Sequence, residues 1–120
     1  MELTEKQLDL LSRRNLVILA TSDFELMPRA IFVEVNKAEK DKIIITDNQM
    51  ETTKKNILSN KNVFLLAHED DYHYGLKVIG RAEYFSEGEQ FDFVQKLETN
   101  KNWSPKGAIV VTIDNVIEFN

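Results

Sequence analysis

The chain has no cysteine. Disulfides, thiolate metal sites and cysteine nucleophiles are therefore excluded, and the absence fits a reducing compartment. Histidine is scarce, with only His68 and His73, and glycine and proline number four and two. No Pro/Gly/Ser linker, internal repeat or low-complexity stretch divides the 120 residues, so we expect one domain over 1–120. Basic residues are in the minority, 15 against 20 acids. That balance argues against nucleic-acid binding, which needs clustered Lys and Arg, but leaves room for a local basic pocket. No apolar run approaches the roughly 20 residues that span a bilayer, and the start Met1-Glu2-Leu3-Thr4-Glu5-Lys6 has neither the basic nor the apolar region of a signal peptide. The expectation is a cytoplasmic protein with no membrane partner.

Hydrophobic residues make up 42%, and their spacing is informative. Thr4-Glu5-Lys6-Gln7 forms a capping box, with Leu3 and Leu8 placed for a hydrophobic staple, and predicts a helix from Glu5 to Arg13. The run Leu16-Val17-Ile18-Leu19-Ala20 predicts a strand over 15–21 buried on both faces. Pro28 opens a second strand in which Ile31, Val33 and Val35 alternate with Phe32, Glu34 and Asn36. Lys42 to Thr46 is a third, rich in isoleucine. Asp47 and Asn48 are N-cap candidates for a helix reaching Ser59, with Met50, Ile57 and Leu58 inward and Asn60 ending it in a left-handed conformation.

Strands follow over 62–68 and 74–85. Gly80 inside the second implies a bulge or a close approach. Ser86 and Glu89 form a second capping box for a helix to Glu98, with Phe91, Val94 and Leu97 inward. Trp103 sits in a loop over 100–105, and a last strand spans 108–119 with a bend near Asp114 and Asn115. Three short helices are too few for a doubly wound sheet. The economical solution is mainly β, a closed six-stranded antiparallel barrel with three peripheral helices.

Chemistry concentrates at 46–56, where a strand ends and a helix begins. Thr52, Thr53, Lys54 and Lys55 sit at that helix start, where free N–H groups and the dipole favour an anion. They fit a cradle for one phosphate; a solvated helix face is the other reading. His68 and His73 flank an acidic loop without a recognised ligand spacing, and we expect no metal. Arg81 reads as an outward, salt-bridged residue. Neither a Ser-His-Asp set nor a nucleotide-binding fingerprint is present.

Leu19-Ala20-Thr21, Pro28, Thr52 to Lys55 with Asn56-Ile57, Asn60-Lys61-Asn62-Val63 and Gly80-Arg81-Ala82-Glu83 occur in order over residues 3–119. Together they resemble the pyridoxamine 5′-phosphate oxidase-like family of FMN-binding split β-barrels. The resemblance implies FMN between two protomers of a homodimer, acting as an oxidoreductase or electron-transfer flavoprotein on a small redox partner. The phosphate would lie at Thr52, Thr53, Lys54 and Lys55. The ring would lie against Arg29, Ala30 and Ile31 and against Ile45, Thr46 and Asp47, with Trp103 either stacking over the partner's flavin or anchoring its loop. Two features depart from the pattern. The turn Asp23-Phe24-Glu25-Leu26-Met27 lacks the usual glycine, and Thr53 stands where many relatives are basic. These leave a deazaflavin, a haem or a non-catalytic dimeric role as alternatives. Pyridoxamine phosphate oxidases proper carry a further C-terminal segment, so vitamin B6 oxidation is not expected.

Overall fold

The computed structural model describes residues 1–119. Six strands close into one antiparallel barrel in the order β1-β2-β3-β6-β5-β4. They are β1 (Leu16–Ser22), β2 (Pro28–Ala38), β3 (Lys42–Asp47), β4 (Asn62–His68), β5 (Gly75–Phe85) and β6 (Gly107–Phe119). Three helices, α1 (Glu5–Arg13), α2 (Glu51–Ser59) and α3 (Glu89–Gln95), and a 3-10 turn at Glu98–Asn100 lie outside the barrel. Closure between β2 and β3 is partial: β2 meets β3 only from Val35 to Ala38, so its earlier residues, from Pro28 to Glu34, have no β3 partner. This is the split-barrel architecture expected from the strand pattern. Among the described residues no helix is long and apolar enough to cross a membrane.

The capping box at α1 forms as read, with the Thr4 hydroxyl accepting from Gln7 N and the Gln7 side chain accepting from Thr4 N. Leu10 and Leu11 then turn fully inward. The barrel interior is filled by alternate residues, among them Val17, Leu19, Val33, Ile43, Ile45, Leu65, Leu76 and Ile109. Ile44 points the other way. It packs with Val94, Ala108 and Val110 beneath α3, where Phe85, Phe91, Phe93 and Leu97 complete the cover.

Several local expectations are corrected. β1 is buried on one face only: Leu16 is 63% exposed and Ile18 and Ala20 are half-buried, because no helix lies over them. Leu58 is 64% exposed. α2 buries Thr53, Asn56 and Ile57, one helical stripe, and Leu58 lies off it. Asn60 is extended (φ −145°), since the chain runs straight on into β4. α2 is capped at Met50 without a side-chain bond, and α3 begins after Gly88 (φ 93°) without one. The Ser86–Glu89 box does not form, and Glu98 falls in the separate 3-10 turn.

Gly80 meets both expectations. The β5–β6 register shifts between Ile79 and Gly80, leaving Asp114 without a partner on β5. A Cβ at Gly80 would come within 2.4 Å of Thr112 O.

Candidate functional site

The polar part of the molecule is the junction of β3 and α2. Asp47, the last residue of β3, is 1% exposed. Its Oδ1 accepts from Met50 N at 2.7 Å, its Oδ2 from the Tyr84 hydroxyl at 2.5 Å, and its backbone oxygen from Lys106 N at 2.7 Å. One carboxylate residue thus fixes the turn into α2, ties it to β5 and holds the entry to β6. Burial, and then the bond to Asp47, keep the Tyr84 hydroxyl protonated well above the usual tyrosine range. Gly107 is required beside it, because a Cβ there would meet the Tyr84 ring at 2.3 Å.

Two open hollows flank this junction and share Ile31, Gln49 and Met50. The first, about 330 Å³, is lined further by Arg29, Glu51, Thr52, Thr53 and Lys106. Because α2 has no side-chain cap, N–H groups of its first turn stay free here, at the positive end of the helix dipole. Arg29 and Lys106 outnumber Glu51, and among the described residues neither cation is in an ion pair. That donor set suits a phosphate or another small oxyanion.

The second hollow, about 310 Å³, runs along β2 from Ile31 to Glu34 and is closed by Asn36, Thr46, Asn48 and Asn100. Thr46 Oγ1 donates to Asn36 Oδ1 at 2.7 Å, and Asn100 Nδ2 donates to Thr46 Oγ1 and to Val94 O, both at 2.9 Å. Asn48 Nδ2 reaches Asn100 Oδ1 at 3.4 Å, while Asn48 Oδ1 is enclosed without any partner among the described residues. An unpartnered enclosed acceptor costs about 1–3 kcal/mol.

The expected site residues therefore scatter. Arg29, Ile31, Thr46, Thr52 and Thr53 line the two hollows. Lys54 turns away, its ammonium 4.8 Å above the Tyr84 ring, and Lys55 is exposed and lines neither hollow. Ala30 faces outward opposite Ala20, Ile45 is 1% exposed inside the core, and Asp47 acts from beneath. Trp103 is 61% exposed and so does not anchor its loop to the core.

Lys106, Asn36 and Asn100 escaped the sequence reading. Only Asn36 left a local signal, an asparagine amid β-branched strand residues. His68 Nδ1 lies 2.6 Å from Glu69 O, and His73 pairs with Asp71. Among the described residues no three His, Cys, Asp or Glu side chains converge as metal ligands. Arg81 is outward and paired with Asp114 at 3.0 Å.

Against known proteins, the family model for pyridoxamine 5′-phosphate oxidase matches residues 3–120. The chain belongs to the pyridoxamine 5′-phosphate oxidase-like family. An uncharacterized protein of Methanocaldococcus jannaschii is 34% identical over 121 residues, covering 96% of this chain and 79% of the relative. Two solved structures share the fold of this family member at 20% identity. HupZ of Group A Streptococcus superposes with a TM-score of 0.88 over 97% of this chain and 93% of its own. An FMN-binding protein of Syntrophomonas wolfei does so with 0.80, over 97% and 85%.

Proposed function

We propose that this family member is a cytoplasmic FMN-binding flavoprotein, an oxidoreductase or electron-transfer protein for a small redox partner, with its cofactor at a homodimer interface. The observation that carries the reading is the pair of joined hollows, one basic and rich in hydroxyls, the other lined by amides. The residues present fit the group. Arg29, Lys106, Thr52, Thr53 and the free N–H groups of α2 would hold the phosphate, and the amide-lined hollow beside Ile31 would take the ring. Here the cations that serve are Arg29 and Lys106 rather than Lys54 and Lys55. FMN would supply the electron transfer; the chain supplies binding, orientation and electrostatics.

The dimer reading is supported by the outer face of the barrel. Phe32, Ile18 and Leu66 lie side by side across β2, β1 and β4, with Ala20, Phe64 and Ile79 in the next row. Phe32 is 72% exposed and Leu16 63%. Such a contiguous apolar face suits a protein partner, and Phe32 also borders the amide-lined hollow. A second copy seated there would roof the groove, and Trp103 is free to contribute to it.

The test is the visible spectrum of protein purified without added cofactor, repeated after FMN addition and gel filtration. Flavin bands co-eluting with a dimer are expected. They should weaken in Arg29→Ala/Lys106→Ala and persist in Lys54→Ala. A colourless protein that retains no FMN overturns the cofactor reading.

A further inference from the structure

The turn that joins β1 to β2 is ordered, strained and apolar at once. Glu25 N and Met27 N donate to Asp23 Oδ1 at 2.8 and 3.0 Å, and Leu26 N donates to Asp23 O at 3.0 Å. Leu26 is held at φ 67°, the left-handed conformation that suits glycine or asparagine and strains a leucine. Among the described residues no packing offsets that strain, because the side chains stand in solvent: Phe24 is 76% exposed and Leu26 75%. Asp23 therefore fixes a projecting apolar knob, and a knob already ordered loses little entropy when a partner takes it up.

A groove of about 270 Å³ lies at the same end of the barrel, across β1, β4 and β5. Ser22, the last residue of β1, borders it together with Ala20, Asn62, Val63, Phe64 and Ile79. Knob and groove share one face. Ala30, Ala20, Phe64 and Ile79 form a row across β2, β1, β4 and β5, and the turn projects just beyond that row, after the pair Ser22 and Pro28.

The strand order makes the two features complementary between copies. This face runs β2-β1-β4-β5. A two-fold axis laid along the strands between β1 and β4 sets β1 against the partner's β4 and β2 against the partner's β5. It preserves height along the strands, so each β1–β2 turn comes over the other copy's groove. Such a contact is isologous and closes as a dimer.

We propose that a second copy of this chain is the occupant of that groove, Phe24 and Leu26 of each protomer inserting between β1, β4 and β5 of the other. The proposal rests on the homodimer reading above and assigns its contact. A lipid surface is disfavoured, because Asp23 and Glu25 add negative charge to the turn of a chain whose net charge is −5, and anionic headgroups repel it.

The test is the dimer dissociation constant by analytical ultracentrifugation, with the urea midpoint of the dilute monomer beside it. Leu26→Gly removes the knob and relieves the strained backbone. It should raise the dissociation constant about tenfold or more while the monomer midpoint holds or rises, a pairing that a merely structural turn would not give. Phe24→Ser should weaken the dimer similarly with the midpoint unchanged. Ile79→Ala, on the groove side, should weaken the wild-type dimer and add little in the Phe24→Ser background. A dimer as tight in Leu26→Gly and Phe24→Ser as in wild type, or additive losses with Ile79→Ala, overturns the proposal and leaves the homodimer reading standing. A wild-type chain that stays monomeric overturns both, and if it then binds vesicles of phosphatidylcholine and phosphatidylglycerol through Phe24, the knob belongs to a lipid surface instead.

Discussion

β1 and β3 carry similar apolar runs and meet different fates. In β3, Ile43 and Ile45 enter the barrel and Ile44 is sealed beneath α3, so every residue from Ile43 to Asp47 is buried. In β1, Val17 and Leu19 enter the barrel in the same way, but Leu16, Ile18 and Ala20 face outward with no helix above them. A run without alternation signals two covering layers. For β3 the chain supplies both. For β1 it supplies one, and the apolar row continues into Phe32, Leu66 and Ile79, the face that the proposed dimer would cover.

The comparison can be broken most directly by truncation. Ile44→Ala, which opens a hole under α3, should cost about 2–5 kcal/mol in chemical denaturation at concentrations where the protein is monomeric. Ile18→Ala under the same conditions should cost less than half as much. Equal losses would mean that β1's outer face is covered within the chain after all.

The strands' last residues extend the contrast. β3 ends on enclosed Asp47, whereas β1 ends on Ser22, half-buried and bonded to Asn60 Nδ2 at 2.9 Å. Asp47→Ala strands Met50 N and the Tyr84 hydroxyl and should cost about 1–3 kcal/mol, read by thermal melting. Ser22→Ala should stay within about 0.5 kcal/mol.

The same buried junction predicts an alkaline limit. An unfolded tyrosine ionises near pH ~10, whereas Tyr84 in the fold holds its proton to higher pH. The unfolded chain therefore loses the proton first. The stabilisation is complete below that pH and falls as pH rises through the raised value. Tyr74, whose hydroxyl is held protonated by burial and then by Glu118, acts with the same sign. Tyr84→Phe should flatten part of the decline, measured as melting temperature against pH.

The smallest effects on folding lie on the uncovered side. Phe32→Asp should leave monomer stability within about 0.5 kcal/mol yet halve the mass seen by light scattering. Leu58→Gln, exposed on α2, should be equally mild and leave the mass unchanged.

Much of the fold was legible because its signals are local. The Thr4–Gln7 box set the start of α1, alternation placed Ile31, Val33 and Val35 on one side of β2, and Gly80 announced the bulge opposite Asp114. Local signals failed where a tertiary cover decides the outcome. Leu58 and Leu16 read as buried, but no element among the described residues covers them, and the Ser86 box does not form because Gly88, not Ser86, is the residue that precedes α3. The candidate site was legible as a place, the β3–α2 junction, but only partly as a set of residues. Thr52 and Thr53 line the basic hollow, whereas Lys54 is drawn off to the Tyr84 ring.

Sequence alone determined which segments are strands, that their faces are apolar in alternation, and that hydroxyls and amines gather at one helix start, because each depends on neighbours a few residues apart. Tertiary structure decided the rest. Pairing β3 with β6 sets Lys106 beside Asp47, 59 positions earlier in the chain, and so brings it to the basic hollow. The β2 bulge turns Asn36 toward Thr46, and the turn after α3 carries Asn100 to the same point. Closing the barrel brings these groups together, and no spacing along the chain encodes where a closed ring puts its ends.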